Sequence, residues 1–332
     1  MSHSVPTVFG RALLDGNGTL VDAHAHAWIE PPTGVAAEHT LELNDEDLQA
    51  TALQDWATAA EQLAHDKADG AGATAASDGA WRAGLIDCQP PFAGRDANRL
   101  AQISRRSGVA LACVTGFHLA RYYPDGQRPW SDSEAAAEFF TNEVSTGLSE
   151  SPKRRAAAIK AAHSGRVSDD LAAWEAAVAA QQRTGACLLI HTERGAGVED
   201  LVAWLIDRGV PSQRIYLCHI DKRPDLDLHV ELAKEGVLLG YDTFVRPKYR
   251  PEVGVWPLLR AMVERGLGSA VAVCLDLALP EMWREPHSRP AAFMSLAQTL
   301  ETDIGSGPAL DGLLGGNVLR VLARPPERGV PA

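Results

Sequence analysis

The sequence predicts a (β/α)8 barrel, and three observations carry that expectation. Eight short β-like apolar runs recur along the 332 residues, and helix-like segments alternate with them. The length suits a barrel of about 250 residues plus insertions. No Gly-x-Gly-x-x-Gly follows the first run, which disfavours the alternative, an open doubly wound sheet.

Taken in order, the runs are 19–23 (TLVDA), 84–88 (GLIDC), 110–115 (ALACVT), 156–160 (AAAIK), 186–191 (ACLLIH), 214–219 (RIYLCH), 237–241 (VLLGY) and 271–276 (VAVCLD). The surplus length sits after the first run, at 31–80. It opens on Glu-Pro-Pro-Thr-Gly at 30–34, passes through an acidic helix-like stretch at 44–68, and ends Gly/Ala-rich at 70–80. It reads as a long first βα connection within one barrel spanning 1–332. Residues 95–107 and 168–183 carry apolar side chains at helical spacing. Ser131-Asp132-Ser133-Glu134 has a capping-box pattern and starts a further helix. No internal repeat of about 20–50 residues is visible, and the Pro/Gly-rich 324–332 predicts a loose tail.

With 45% hydrophobic and 22% charged residues, the composition is that of a soluble globular protein and excludes wholesale disorder. A net charge of −12 argues against nucleic acid or an anionic membrane as the main partner. No apolar run reaches the ~18–20 residues of a membrane span, and the first residues lack the pattern of a secretory signal. The five cysteines lie in separate apolar runs with no C-x-x-C pair, so reduced, core-packed thiols in a cytoplasmic protein are expected.

In such a barrel, chemistry gathers where strands end at the C-terminal face. The first run leads into Asp22-Ala23-His24-Ala25-His26, and positions i and i+2 of a strand point the same way. Two imidazoles held together suit a metal. His191 ends the fifth run, His219 the sixth and Asp276 the eighth, while Lys160 ends the fourth, inside AAAIKAA. Burial disfavours the ammonium form and leaves a nucleophilic amine, which can add carbon dioxide to give a carbamate able to bridge two metals.

These residues carry a resemblance. The HAH pair, LIDCQPPFAGRDANRLAQISRRSGVALACVTGFH, RAAAIKAA, IHTERGAG, RIYLCHIDK and VAVCLD are similar to the phosphotriesterase-related branch of the amidohydrolase superfamily, over about 5–322. The resemblance implies a binuclear centre in which His24, His26 and Asp276 hold a buried metal, and His191 and His219 a more exposed one. Carboxylated Lys160 and a hydroxide would bridge them. It gives Asp276 the proton transfer of a hydrolysis, Asp22 and Arg95 supporting roles, and the protein a homodimer. Zinc is the first expectation for the two divalent ions, with manganese, iron or cobalt compatible with the same ligands; carbon dioxide is needed for Lys160.

The loops after the third and seventh runs are similar to a sub-branch that hydrolyses sugar lactones, some phosphorylated. His118, Tyr122, Arg246, Lys248, Tyr249 and Trp283 are the candidate contacts to a small-molecule substrate, and Arg246, Lys248 and Arg250 would form a cationic wall. One departure counts against phosphate: Leu279-Pro280 stands where that sub-branch has a basic pair. Lactone opening is the first expectation, with amide or phosphotriester hydrolysis on the same site as alternatives and a non-catalytic binding protein on the same barrel as the last.

Overall fold

A computed structural model describes residues 4–8, 12–14, 19–70, 81–124 and 130–323, with the backbone alone for residues 4, 12–14 and 63–70. The Gly/Ala-rich end of the predicted insertion, from 71, and the 324–332 tail lie outside the described residues.

A small antiparallel hairpin, β1 (Ser4–Pro6) and β2 (Ala12–Leu14), precedes the barrel. Eight parallel strands then alternate with helices: β3 (Leu20–Ala25), α1 (Glu46–Gly70), β4 (Ala83–Asp87), α2 (Ala97–Ser107), β5 (Ala110–Gly116), α3 (Ser133–Ser145), β6 (Ala158–His163), α4 (Leu171–Thr184), β7 (Cys187–Thr192), α5 (Val198–Asp207), β8 (Ile215–Cys218), α6 (Leu226–Glu235), β9 (Leu238–Tyr241), α7 (Val255–Glu264) and β10 (Val271–Val273). The chain ends through α8 (Pro280–Arg284), α9 (Ala292–Ile304), α10 (Pro308–Asp311) and α11 (Asn317–Leu322). Each strand from β3 to β10 pairs with its successor, so sequence order is spatial order, as in a (β/α)8 barrel.

The ladder leaves β3 and β10 at its two ends, and backbone bonds just beyond β10 draw them together. Asp276 N–H donates to the His24 carbonyl at 2.9 Å and His26 N–H to the Leu277 carbonyl at 3.1 Å. The Asp22 carboxylate spans the same seam, accepting from the N–H groups of His24 and Leu275 at 3.2 Å each. The first-strand histidines and Asp276 therefore meet where the barrel closes.

Strands covered on both faces read as continuous apolar runs, which is why the sequence shows them so clearly. One set of side chains fills the barrel, including Val21, Ala23, Ile86, Leu189 and Tyr216, while Leu85, Leu111, Ile159, Ile190 and Leu217 face the helices. Gly240 makes room for the Tyr216 ring, which lies 2.8 Å from where a Cβ would stand. All five cysteines are buried and unpaired. Burial pushes the Cys113 and Cys187 thiols up to about 12, leaving them inert as nucleophiles.

Several boundaries differ from the sequence reading. Lys160 lies in the middle of β6 rather than at its end, because pairing with β7 extends the strand to His163. The helix predicted from Ser131 is capped one residue later: Asp132 accepts from Glu134 N–H and Ala135 N–H, and α3 begins at Ser133. The segment expected at 168–183 divides into a 3-10 turn, Val167–Asp170, and α4. In the first connection, Ile29 and Leu43 exchange both backbone hydrogen bonds at 2.9 Å and pinch 30–42 into a closed loop.

Arg95, just before α2, ties together β5, α3 and the loop after α3. Its guanidinium donates to the Val114 carbonyl, to both Glu143 oxygens and to both Glu150 oxygens, at 2.6–2.8 Å. Arg95 and Glu143 are buried, so deleting one partner strands the other charge. Arg95→Met is expected to lower unfolding free energy by about 3–5 kcal/mol. An unchanged urea midpoint would contradict the bracing role.

Candidate active site

The polar ends of the strands converge at one mouth of the barrel. Ring centroids lie 5.6 Å apart for His24 and His26, 4.6 Å for His24 and His219, and 4.8 Å for His191 and His219. Burial, reinforced by neighbouring positive charge, drives all four imidazoles toward the neutral form; His26 falls to about 3, and His24 and His219 lie well below the usual histidine value. Neutral imidazoles offer lone pairs at physiological pH, which is what metal binding requires.

Two groups of side chains could hold a cation. His24, His26 and Asp276 place ligand atoms within 4.8 Å of one another, and so do His219, Asp242 and Asp276. Asp276 belongs to both. It stands at φ +50° and His219 at φ +64°, left-handed conformations just past the strand ends that turn both side chains into the site. Burial pushes the Asp276 carboxyl up, but His219 and Arg246 outweigh it and hold it below the usual carboxylate value. Arg246 donates to Asp276 Oδ2 at 2.8 Å and also to its carbonyl oxygen.

Lys160 is fully buried, and its amine has no hydrogen-bond partner among the described residues. Its charge acts on His24, His26 and His191, placing it among the same groups. Gly116 lets β5 lie against it: at φ +103°, a Cβ there would collide with the Lys160 carbonyl oxygen, to which Phe117 N–H donates at 3.0 Å. His24 Nδ1 and His26 Nδ1 are likewise buried without partners. Unpartnered buried nitrogens beside an ionised carboxylate are the donor set that a divalent ion satisfies.

Buried carboxylates brace this cluster from behind. Asp22, pushed up to about 8 by burial, spans the seam, and Asp87, pushed up to about 7, accepts from the N–H groups of Ala27, Trp28 and Gln89 just after His26. Asp242 Oδ2 lies 2.5 Å from His219 Nδ1. Asp221 in turn accepts from Asp242 N–H, Thr243 N–H and the Thr243 hydroxyl, fixing the chain that carries Asp242.

The predicted substrate positions separate. His118 and Tyr122 line a cavity of ≈30 Å³ together with His26, Gln89 and the first-connection residues Pro31, Pro32, Val35 and Leu41. Arg246 folds back onto Asp276 instead of standing in an open wall, because that buried carboxylate and carbonyl are its nearest acceptors. Lys248 is exposed, with its amine 5.0 Å from the Tyr249 ring centroid. Trp283 is 1% exposed, within the layer between barrel and helices, and does not line the cavity.

Sequence reasoning passed over Lys222 and Asp242. The Lys222 amine lies 3.7 Å from Asp276 Oδ2 and 3.6 Å from Asp242 Oδ1. Asp242 had a readable signal, since it directly follows an apolar run just as His191, His219 and Asp276 do. Lys222, three residues past His219, had none.

A family model described as the phosphotriesterase family matches residues 50–290. Among characterised proteins, a phospho-furanose lactonase of Mycoplasmopsis synoviae is 28% identical over 210 residues, covering 58% of this chain and 59% of that protein. The phosphotriesterase homology protein of Escherichia coli is 24% identical over 196 residues, covering 58% and 66%. The chain thus spans between about half and two thirds of the length of the curated relatives it matches. Among solved structures, a lactonase from Listeria monocytogenes superimposes with a TM-score of 0.80 at 18% identity, covering 97% of this chain and 99% of that one. An amidohydrolase from Mycoplasma synoviae gives 0.80 at 21% identity, covering 98% and 93%. The structural likeness establishes the barrel, and the family match runs from α1 past α8, through seven of its eight strands: the chain belongs to the phosphotriesterase family.

Proposed function

We propose that this protein is a metal-dependent hydrolase that opens the ring of a small lactone bearing an anionic or sugar-like group. One observation carries the reading: a fully buried, unpartnered lysine amine sits among four neutral imidazoles and an ionised aspartate. An ammonium so placed has a large desolvation penalty and, among the described residues, makes no ion pair. Carboxylation would remove that conflict and make Lys160 an anionic ligand for the cations. His24, His26 and Asp276 would hold one ion and His191 and His219 the other.

Divalent ions held there, zinc first, supply Lewis acidity toward the substrate's carbonyl oxygen and make water more acidic. Asp276 takes the proton released by water at its carboxylate and returns it to the leaving alkoxide, so one water is consumed, the ring C–O bond breaks and a hydroxy acid results. Arg246 holds Asp276 in place through its side-chain and backbone oxygens. Lys222 and Arg246 are each paired with buried carboxylates, so the anionic or sugar-like group is proposed from the phospho-furanose lactonase relative and not from free charge at the site. The names of the Mycoplasmopsis and Listeria relatives support the lactone in preference to an amide.

The test is a side-by-side assay of lactones, N-acyl amino acids and aryl phosphotriesters, with metal analysis. About two metals per chain, activity lost on chelation and the highest kcat/KM on lactones are expected. Amide turnover exceeding lactone turnover would replace the substrate assignment, and less than one metal per active chain would overturn the mechanism.

A further inference from the structure

We propose that Glu193 is a positioning residue that fixes the ring of His191 toward the more exposed cation; the inference rests on the metal-centre reading above. The four site imidazoles fall into two kinds. On β3 and one residue past it, His24 and His26 leave Nδ1 without a partner among the described residues. The other two each carry a carboxylate on one ring nitrogen: His219 Nδ1 lies 2.5 Å from Asp242 Oδ2, and His191 Nε2 lies 3.2 Å from Glu193 Oε1. A carboxylate makes the nitrogen it touches the N–H donor and leaves the opposite nitrogen as a lone pair. His219 is thereby set to ligate through Nε2, and His191 through Nδ1.

The chain builds this contact deliberately. His191 lies in β7 and Glu193 is the first residue past its end, where its carboxylate reaches the His191 ring at 3.2 Å. The strand then stops in a tight turn, with Arg194 at φ +55°, Arg194 N–H donating to the Thr192 carbonyl and Gly195 N–H to the Thr192 hydroxyl. Across the mouth, Arg121 donates to the same Glu193 oxygen and lies 5.2 Å from the Tyr122 ring centroid. Tyr122 packs on His118 at 4.3 Å, and His118 packs on His191 at 4.9 Å. The five side chains close a loop that joins the β5 and β7 ends and holds the His191 ring from both sides.

A plain rim salt bridge between Arg121 and Glu193, both part-exposed, would be worth about 0–1 kcal/mol and would leave metal affinity alone. The two roles are separated by titrating the full-length protein with zinc against a competing chelator. Glu193→Ala is expected to weaken the looser zinc equivalent about 10–100-fold and leave the tighter one unmoved. Glu193→Gln, whose carbonyl oxygen still accepts from Nε2–H, is expected to keep most of the affinity. In the metal-free protein, nitrogen NMR should find His191 as the Nε2–H tautomer in wild type and as a mixture in Glu193→Ala. An unaltered melting temperature in Glu193→Ala would assign the loss to ring orientation. Two unchanged zinc equivalents and an unchanged tautomer in Glu193→Ala would overturn the role of Glu193, whereas a wild type that takes up no divalent metal would overturn the metal centre itself.

Discussion

Lys160→Met is expected to eliminate turnover while making the metal-free protein more stable, two effects that ordinary core substitutions do not combine. Methionine is unbranched, close to lysine in length and able to fill irregular space, so the β6 backbone against Gly116 need not move. The substitution removes a fully buried amine that has no hydrogen-bond partner among the described residues. Removing such an unsatisfied group is worth about 1–3 kcal/mol. The gain should appear as a higher urea midpoint for the variant in chelator. If Lys160 is a cation ligand as proposed, the loss of activity should go well beyond the about 10–100-fold that follows from altering groups behind metal ligands. Bicarbonate should revive carbonate-stripped wild type and do nothing for the variant. Near-normal lactone turnover by Lys160→Met would overturn the carbamate, and a lower midpoint would mean that the amine is satisfied in the metal-free state.

Much of the barrel is legible in the sequence because strands buried on both faces leave unbroken apolar runs, and a polar residue interrupting the end of such a run is conspicuous. That logic found His191, His219 and Asp276 one by one, and applied evenly it would also have found Asp242 after 237–241. Strand ends are less readable, since they depend on which neighbour continues the ladder: pairing with β7 carries β6 past Lys160, whereas β10 ends at Val273 and its chain crosses to β3. The α3 cap moved by one residue because Ser131, Asp132 and Ser133 are all good caps, and only the fold decides which side chain meets the free N–H groups. Arg246 and Lys222 were harder still. A basic loop in sequence carries no sign of folding onto a buried carboxylate from another strand, and both residues meet at Asp276 only because the barrel closes there.

Asp276→Asn removes the proton acceptor, and with it an anionic ligand of the proposed centre, while leaving the architecture around it in place. Asp276 occupies φ +50°, a left-handed conformation that asparagine tolerates about as well as aspartate. The carboxamide keeps an oxygen for Arg246, and the two backbone bonds across the seam are unaffected. What disappears is the negative charge that can accept a proton and help hold a cation, so kcat is expected to fall by at least the about 10²–10⁴-fold that loss of a positioned general base costs. The pH dependence follows from the sign of the shift. His219 and Arg246, working against burial, hold Asp276 below the usual carboxylate value. Its ionised form therefore contributes stability above about pH 4, and that contribution is lost as pH falls through the folded value. In chelator, wild type should exceed Asp276→Asn in stability at neutral pH and converge with it in acid. Equal kcat for the two proteins would remove Asp276 from the chemistry, while a stability gap that widened in acid would show that its charge is not what Arg246 and His219 recognise.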